Sequence, residues 1–159
     1  MNLTHPYPTQ KPSILIVDDD QLSVDALHRA LKREFEVFTA TNTKDAENIL
    51  RYEYVQVVMS DHRMPNETGV AFLTRVRAEW SNVIRILISG YSNHTDTVQG
   101  NNDAGIFQNM QKPWNPERVI LTLKNAVELF ELQRQNHLLS VELKVASSSL
   151  KQKIEQKQT

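Results

Sequence analysis

Four short segments of this chain each end an apolar run on a residue that can do chemistry. ILIVDDD at 14–20 stops at Asp18, Asp19 and Asp20, and VVMSDHRMP at 57–65 stops at Asp61. VIRILISGY at 83–91 stops at the Ser89 hydroxyl, and GIFQNMQKPW at 105–114 stops at Lys112. Carboxylates drawn together repel one another, and a cation relieves the repulsion. Carboxylates with backbone and water oxygens suit a hard ion such as Mg²⁺. A carboxylate beside such an ion and an ammonium can act as nucleophile toward a phosphoryl group, giving an aspartyl phosphate. Metal and lysine then offset charge on the phosphoryl oxygens, and positioning supplies most of the catalysis. A lone aspartate at a strand end is ordinarily a cap. Four such segments in this order ask for more, although Asp20 itself reads as the N-cap of the following helix.

The elements that must gather these residues follow from periodicity. Apolar runs separated by helical stretches predict a parallel sheet covered on both faces, with ligands bound outside the carboxyl ends of its strands. Strands are predicted at 13–18, 35–40, 55–60, 83–88 and 105–110, giving an α/β, doubly wound, five-stranded parallel sheet. The second strand, FEVFTA, alternates as a half-exposed edge would. The first helix is predicted over 21–33, with Leu22, Ala26, Leu27, Ala30 and Leu31 on one face. The second, 43–51, opens on Thr43 with Ala46 and Glu47 in its first turn, an imperfect capping box. The third, 68–79, buries Val70, Phe72, Leu73 and Val76. A fourth over 92–103 is marginal, because SNHTDTVQGNND holds one large apolar residue, Val98, and Gly100. His94 within it reads as a surface residue. Pro116 opens the last helix in its first turn.

Composition narrows the class. The chain has 159 residues, 40% of them hydrophobic, enough for one core and an extension. A net charge of −1 gives no general attraction to nucleic acid. The absence of cysteine excludes disulfides, thiol catalysis and thiolate metal sites. No apolar stretch approaches the ~18 residues a membrane span needs. Residues 1–11 are polar and proline-punctuated without a hydrophobic signal region, so a disordered lead and a cytoplasmic protein are expected.

The order and spacing of the four segments resemble the receiver domain of two-component response regulators, a flavodoxin-like (βα)5 fold, over roughly residues 12–131. The resemblance implies that Asp61 accepts a phosphoryl group from a histidine kinase. It implies that Asp19 holds Mg²⁺ directly, Asp18 through water, and the Arg63 backbone carbonyl as a further oxygen. Ser89 takes the place of the switch hydroxyl that binds the phosphoryl group, and Lys112 that of the site lysine, joined to Pro113 by a cis bond. Two departures stand out. The position three before Lys112, aromatic in the family, is Asn109, which cannot enter an apolar slot. Phe107 lies two residues earlier on the same face of the predicted strand. Arg63 and Tyr91, each two residues beyond a site residue, flank the path of the hydrolytic water and are expected to shield the phosphoryl group. SDHRMPNETGVAFL, RILISGY and NDAGIFQNMQKPW are most similar to receivers of NtrC-type activators of the hydrogenase-regulating group, in which the unphosphorylated form can be the active one. The Lys-Pro-Trp ending also occurs in receivers attached to cyclic-di-GMP phosphodiesterase domains. Trp114 is a natural reporter there, packing at the base of the last helix.

Beyond Pro116 neither proline nor glycine interrupts the chain. Leu129, Leu132, Asn136, Leu139, Leu143, Ala146 and Leu150 alternate spacings of 3 and 4, a heptad seam. Residues 132–159 therefore read as a coiled-coil linker forming a parallel homodimer, with Asn136 fixing register. No helix-turn-helix, Gly-rich loop or basic patch follows, so the output domain is expected outside this chain. Three functions fit: a phosphorylatable receiver controlling transcription activation, a phosphate-insensitive docking and dimerisation module, and a Mg²⁺-dependent phosphotransferase or phosphatase. The first is favoured, with only self-phosphorylation and self-dephosphorylation expected as chemistry.

Overall fold

The computed structural model describes residues 10–90 and 103–157. Its elements run β1 (Ser13–Val17), α1 (Gln21–Leu31), β2 (Glu36–Ala40), α2 (Thr43–Tyr52), β3 (Val57–Asp61), α3 (Gly69–Glu79), β4 (Ile84–Ser89), β5 (Gln108–Gln111) and α4 (Pro116–Lys157). The predicted helix over 92–103, with Tyr91 and His94, lies outside the described residues except at its last position. The strands form one parallel sheet in the order β2-β1-β3-β4-β5. Ile- and Val-rich central strands suit this sheet because both of its faces are covered.

Alternation along the strands divides the core in two. Ile14, Ile16, Met59, Ile86 and Met110 face Leu27 and Leu31 of α1 and Val119, Leu123, Ala126 and Phe130 of α4. Leu15, Val17, Val58 and Leu87 face Ala46 and Leu50 of α2 and Phe72, Leu73 and Val76 of α3. β2 is the edge strand its alternation announced, buried fully only at Ala40.

Local details differ from expectation for identifiable reasons. Leu22 is 78% exposed, and Val24 is buried in its place. Val24, Leu27 and Leu31 are spaced by three and four, and Leu22 falls off that stripe. The cap of α2 is Asn42, not Thr43: Asn42 Oδ1 accepts from the Asp45 amide at 2.8 Å, and Asn42 Nδ2 donates to Asp45 Oδ2 at 2.8 Å. β5 begins three residues late. Gly105 turns the chain with φ +59°, and the Arg85 Nε and Arg77 Nη1 groups donate to the carbonyls of Ala104 and Asp103. Phe107 therefore lies before the strand, 38% exposed, rather than on its inner face.

α4 is buried as far as Phe130, and every described residue from Leu132 onward is exposed. Leu129 packs partly on its own domain's core. Leu132, Asn136, Leu139, Leu143, Ala146 and Leu150 are all uncovered. No helix among the described residues is long and apolar enough to cross a membrane.

Candidate functional site

The carboxyl ends of β1, β3 and β4 and the loop after β5 meet at one edge of the sheet. β1 ends at Val17, so Asp18 is the first residue beyond it, 4% exposed, and its amide donates to the Ala40 carbonyl at 3.2 Å. Asp61 is the last residue of β3, paired in register with Ile88 and 8% exposed. Ser89 ends β4, buried, opposite Gln111. Lys112 follows β5, its amide donating to the Ser89 carbonyl at 3.0 Å, and the Lys112–Pro113 bond is cis.

These elements bring the predicted residues together. One oxygen each of Asp18, Asp19 and Asp61 lies within 4.8 Å of the others, with Asp19 exposed and the other two buried. Lys112 Nζ is 3.0 Å from Asp61 Oδ1 and 3.6 Å from Asp18 Oδ2. Asp20 stands aside as a cap, accepting from the Leu22 amide at 3.2 Å and the Ser23 hydroxyl at 2.9 Å. Asn109 is exposed on β5, beside Leu87 in register. Arg63 is exposed in the loop after Asp61, its backbone bridged to Thr68.

Electrostatics follow from burial and crowding. Burial raises the Asp18 carboxyl above the carboxylate norm; the Asp20 amide, 3.0 Å from Asp18 Oδ1, opposes this, and the Asp61 charge adds to it. Burial pulls the Lys112 ammonium down, but the hydrogen bond to Asp61 and the charges of Asp18 and Asp61 outweigh it and hold the group above the lysine norm. Hard oxygen donors crowded around a carboxyl that resists ionisation fit a divalent cation, which would relieve the repulsion that one ammonium leaves.

One residue of the site was missed by motif reasoning. Gly69 opens α3 directly behind Asp61, its amide donating to the His62 carbonyl at 2.7 Å. A Cβ there would lie 2.2 Å from the Asp61 carbonyl oxygen and 2.9 Å from His62 Cα. Its only trace in the sequence is a glycine just after the Thr68 cap, where a helix former is expected.

Comparison with known proteins agrees with this geometry. Residues 14–124 match the family described as "Response regulator receiver domain". The hydrogenase transcriptional regulatory protein HoxA of Bradyrhizobium diazoefficiens is 44% identical over 139 residues, 87% of this chain and 29% of that protein. HoxA of Cupriavidus necator is 42% identical over 148 residues, 93% of this chain and 31% of that protein. The chain thus spans about three tenths of the length of these relatives. A CheY-like receiver domain protein from Methanospirillum hungatei shares the fold, with a TM-score of 0.73 at 24% identity, over 78% of this chain and 99% of that one. The chain belongs to the response regulator receiver domain family.

Proposed function

We propose that Asp61 is the phosphoryl acceptor of a two-component regulator, charged by a histidine kinase, and that α4 carries the signal as a dimerising helix. The observation that carries this reading is the Lys112 ammonium 3.0 Å from Asp61 Oδ1 inside a cluster of three convergent carboxylates. A carboxylate oxygen of Asp61 forms the new P–O bond while the P–N bond to the donor imidazole breaks, its electron pair staying on that nitrogen. Lys112 offsets charge on the phosphoryl oxygens. Ser89, buried at the end of β4, donates its hydroxyl to the phosphoryl group in this reading. Asp18, Asp19, Asp61 and the Arg63 carbonyl would hold Mg²⁺, which when bound supplies further compensation of phosphoryl charge. Exposed Arg63 shields the phosphoryl group from water; a lifetime unchanged in Arg63→Ala would remove that role. No external substrate is turned over, and the protein works in the cytoplasm beside its kinase. By likeness to the hydrogenase regulators, the output is transcription activation by a domain outside this chain.

A second reading has its own support. Exposed Asn109 replaces the aromatic expected at that position, which favours a receiver that docks and dimerises without responding to phosphate. One experiment separates the two: intact mass after acetyl phosphate with Mg²⁺, beside Asp61→Asn. A single phosphoryl adduct on the parent and none on the variant is expected. No adduct on either would leave the docking module as the function.

A further inference from the structure

The end of the sheet opposite the acidic cluster carries three adjoining hollows that the proposed function does not use. All three are bordered by Tyr54, in the turn between α2 and β3, which is 63% exposed. Its ring meets Phe130 edge-on, with centroids 6.0 Å apart at 79°. One hollow, about 220 Å³, lies between Tyr54, Phe130 and His137 where α4 leaves the domain. A second, about 330 Å³, runs under Phe130 to Leu50, Val83 and Trp80. The third, about 300 Å³, joins Tyr54 and Arg134 to Gln10, the first described residue.

The chain entering β1 therefore arrives at the mouth of this aromatic groove. The residues before Gln10 read MNLTHPYPT, with Leu3, Pro6, Tyr7 and Pro8 as apolar groups. At about 3.3 Å per extended residue they span up to about 30 Å, far more than one hollow is wide. Proline-punctuated segments settle into aromatic-lined grooves at low entropic cost, because proline already restricts the backbone. Their carbonyls need donors, and Asn82, Gln133 and Arg134 stand on the rim. Glu53 and Glu79 line the second hollow, where α2 and α3 end.

We propose that this groove is the docking place of the chain's own residues 1–9, with Pro6, Tyr7 and Pro8 against Tyr54 and Phe130. The lead then braces the root of α4 against the receiver, independently of any phosphoryl chemistry. The test compares amide NMR spectra of the ¹⁵N-labelled intact chain, the chain lacking residues 2–9, and Tyr7→Ser. Both changes are expected to shift the signals of Tyr54, Asn82, Gln133 and His137. A synthetic peptide of residues 1–10 should move the truncated chain's signals back, saturably, and Tyr54→Ala, with unchanged circular dichroism, should abolish that response. Superimposable groove signals in intact and truncated chains would overturn the proposal. Tyr54 and Asn82 signals that move with protein concentration in both chains carrying Leu139→Glu and Leu143→Glu, which break the α4 seam, would also overturn it, by assigning the groove to a second copy. Asp61 phosphorylation is scored separately by mass, so failure there leaves this result standing.

Discussion

At the residue scale the site is governed by one ammonium paired with two of three convergent carboxylates. Lys112→Ala removes the fixed charge beside Asp61 on which the proposed phosphoryl transfer relies. Adduct formation on Asp61 should slow on the order of 10²-fold, as measured by time-resolved mass spectrometry. Asp18 gives a pH signature. Its carboxyl is raised from an ordinary 3.8 by burial, so above pH 3.8 the unfolded chain loses this proton before the folded one does. The folded state then binds more protons, and stability contributed by this group falls as pH rises through its folded pKa, by up to about 1.4 kcal/mol per pH unit. Urea unfolding in chelator should show that decline in the parent and a flatter profile in Asp18→Asn. Mg²⁺ at tenfold its dissociation constant should stabilise the parent by about 1.4 kcal/mol and Asp18→Asn by less. A parent indifferent to Mg²⁺ would remove the metal site. Asp18, Asp61, Ser89 and Lys112 were legible because each terminates an apolar run. Gly69 was not, because its role is to leave room for the Asp61 carbonyl where a Cβ would stand, and no spacing encodes that close approach.

At the element scale, α3 is docked onto β3 through that glycine, so the start of a helix sets the position of Asp61. In Gly69→Ala the added methyl meets the Asp61 carbonyl and forces the strand end or the helix to move. A loss on the order of 1–3 kcal/mol in unfolding free energy is expected, together with slower phosphoryl uptake. Loss of stability with uptake unchanged would mean that the strand end holds Asp61 without help from α3. The central strands and the edge strand were readable because apolar runs and alternation are local properties. The start of β5 was not: Gly105 and the Arg85 and Arg77 clamps on the preceding carbonyls delay the strand, and these contacts join residues distant in sequence. The first-turn placement of Asn42 rather than Thr43 is a choice between two adjacent capping residues, settled by the reciprocal bonds to Asp45.

At the scale of the whole molecule, the two ends of α4 do different work. Its first turn follows Lys112 by four residues at the acidic edge, and Val119, Leu123, Ala126 and Phe130 tie it across the sheet. From Leu132 to Lys157 it then extends about 39 Å at 1.5 Å per residue with no cover from its own domain. Leu132, Leu139, Leu143 and Leu150 are 53–70% exposed there. Burying such a side chain contributes roughly 1.5–3 kcal/mol, the driving force on which the proposed seam would draw. Glu131 fixes where the free part begins: Gln56, held to the Ser13 amide at 3.0 Å, donates to it at 3.1 Å, and Arg134 pairs with it at 3.0 Å. The proposed parallel dimer, growing from that point, would place both receivers at one end of the coil. Sedimentation of the parent should therefore give a dimer, and Leu139→Glu with Leu143→Glu a folded monomer that still takes up phosphoryl on Asp61. Asn136→Leu should remain an oligomer, with freedom to change strand number once the polar seam residue is gone. A parent that stays monomeric at high concentration would leave the seam without a partner and remove the proposed dimer.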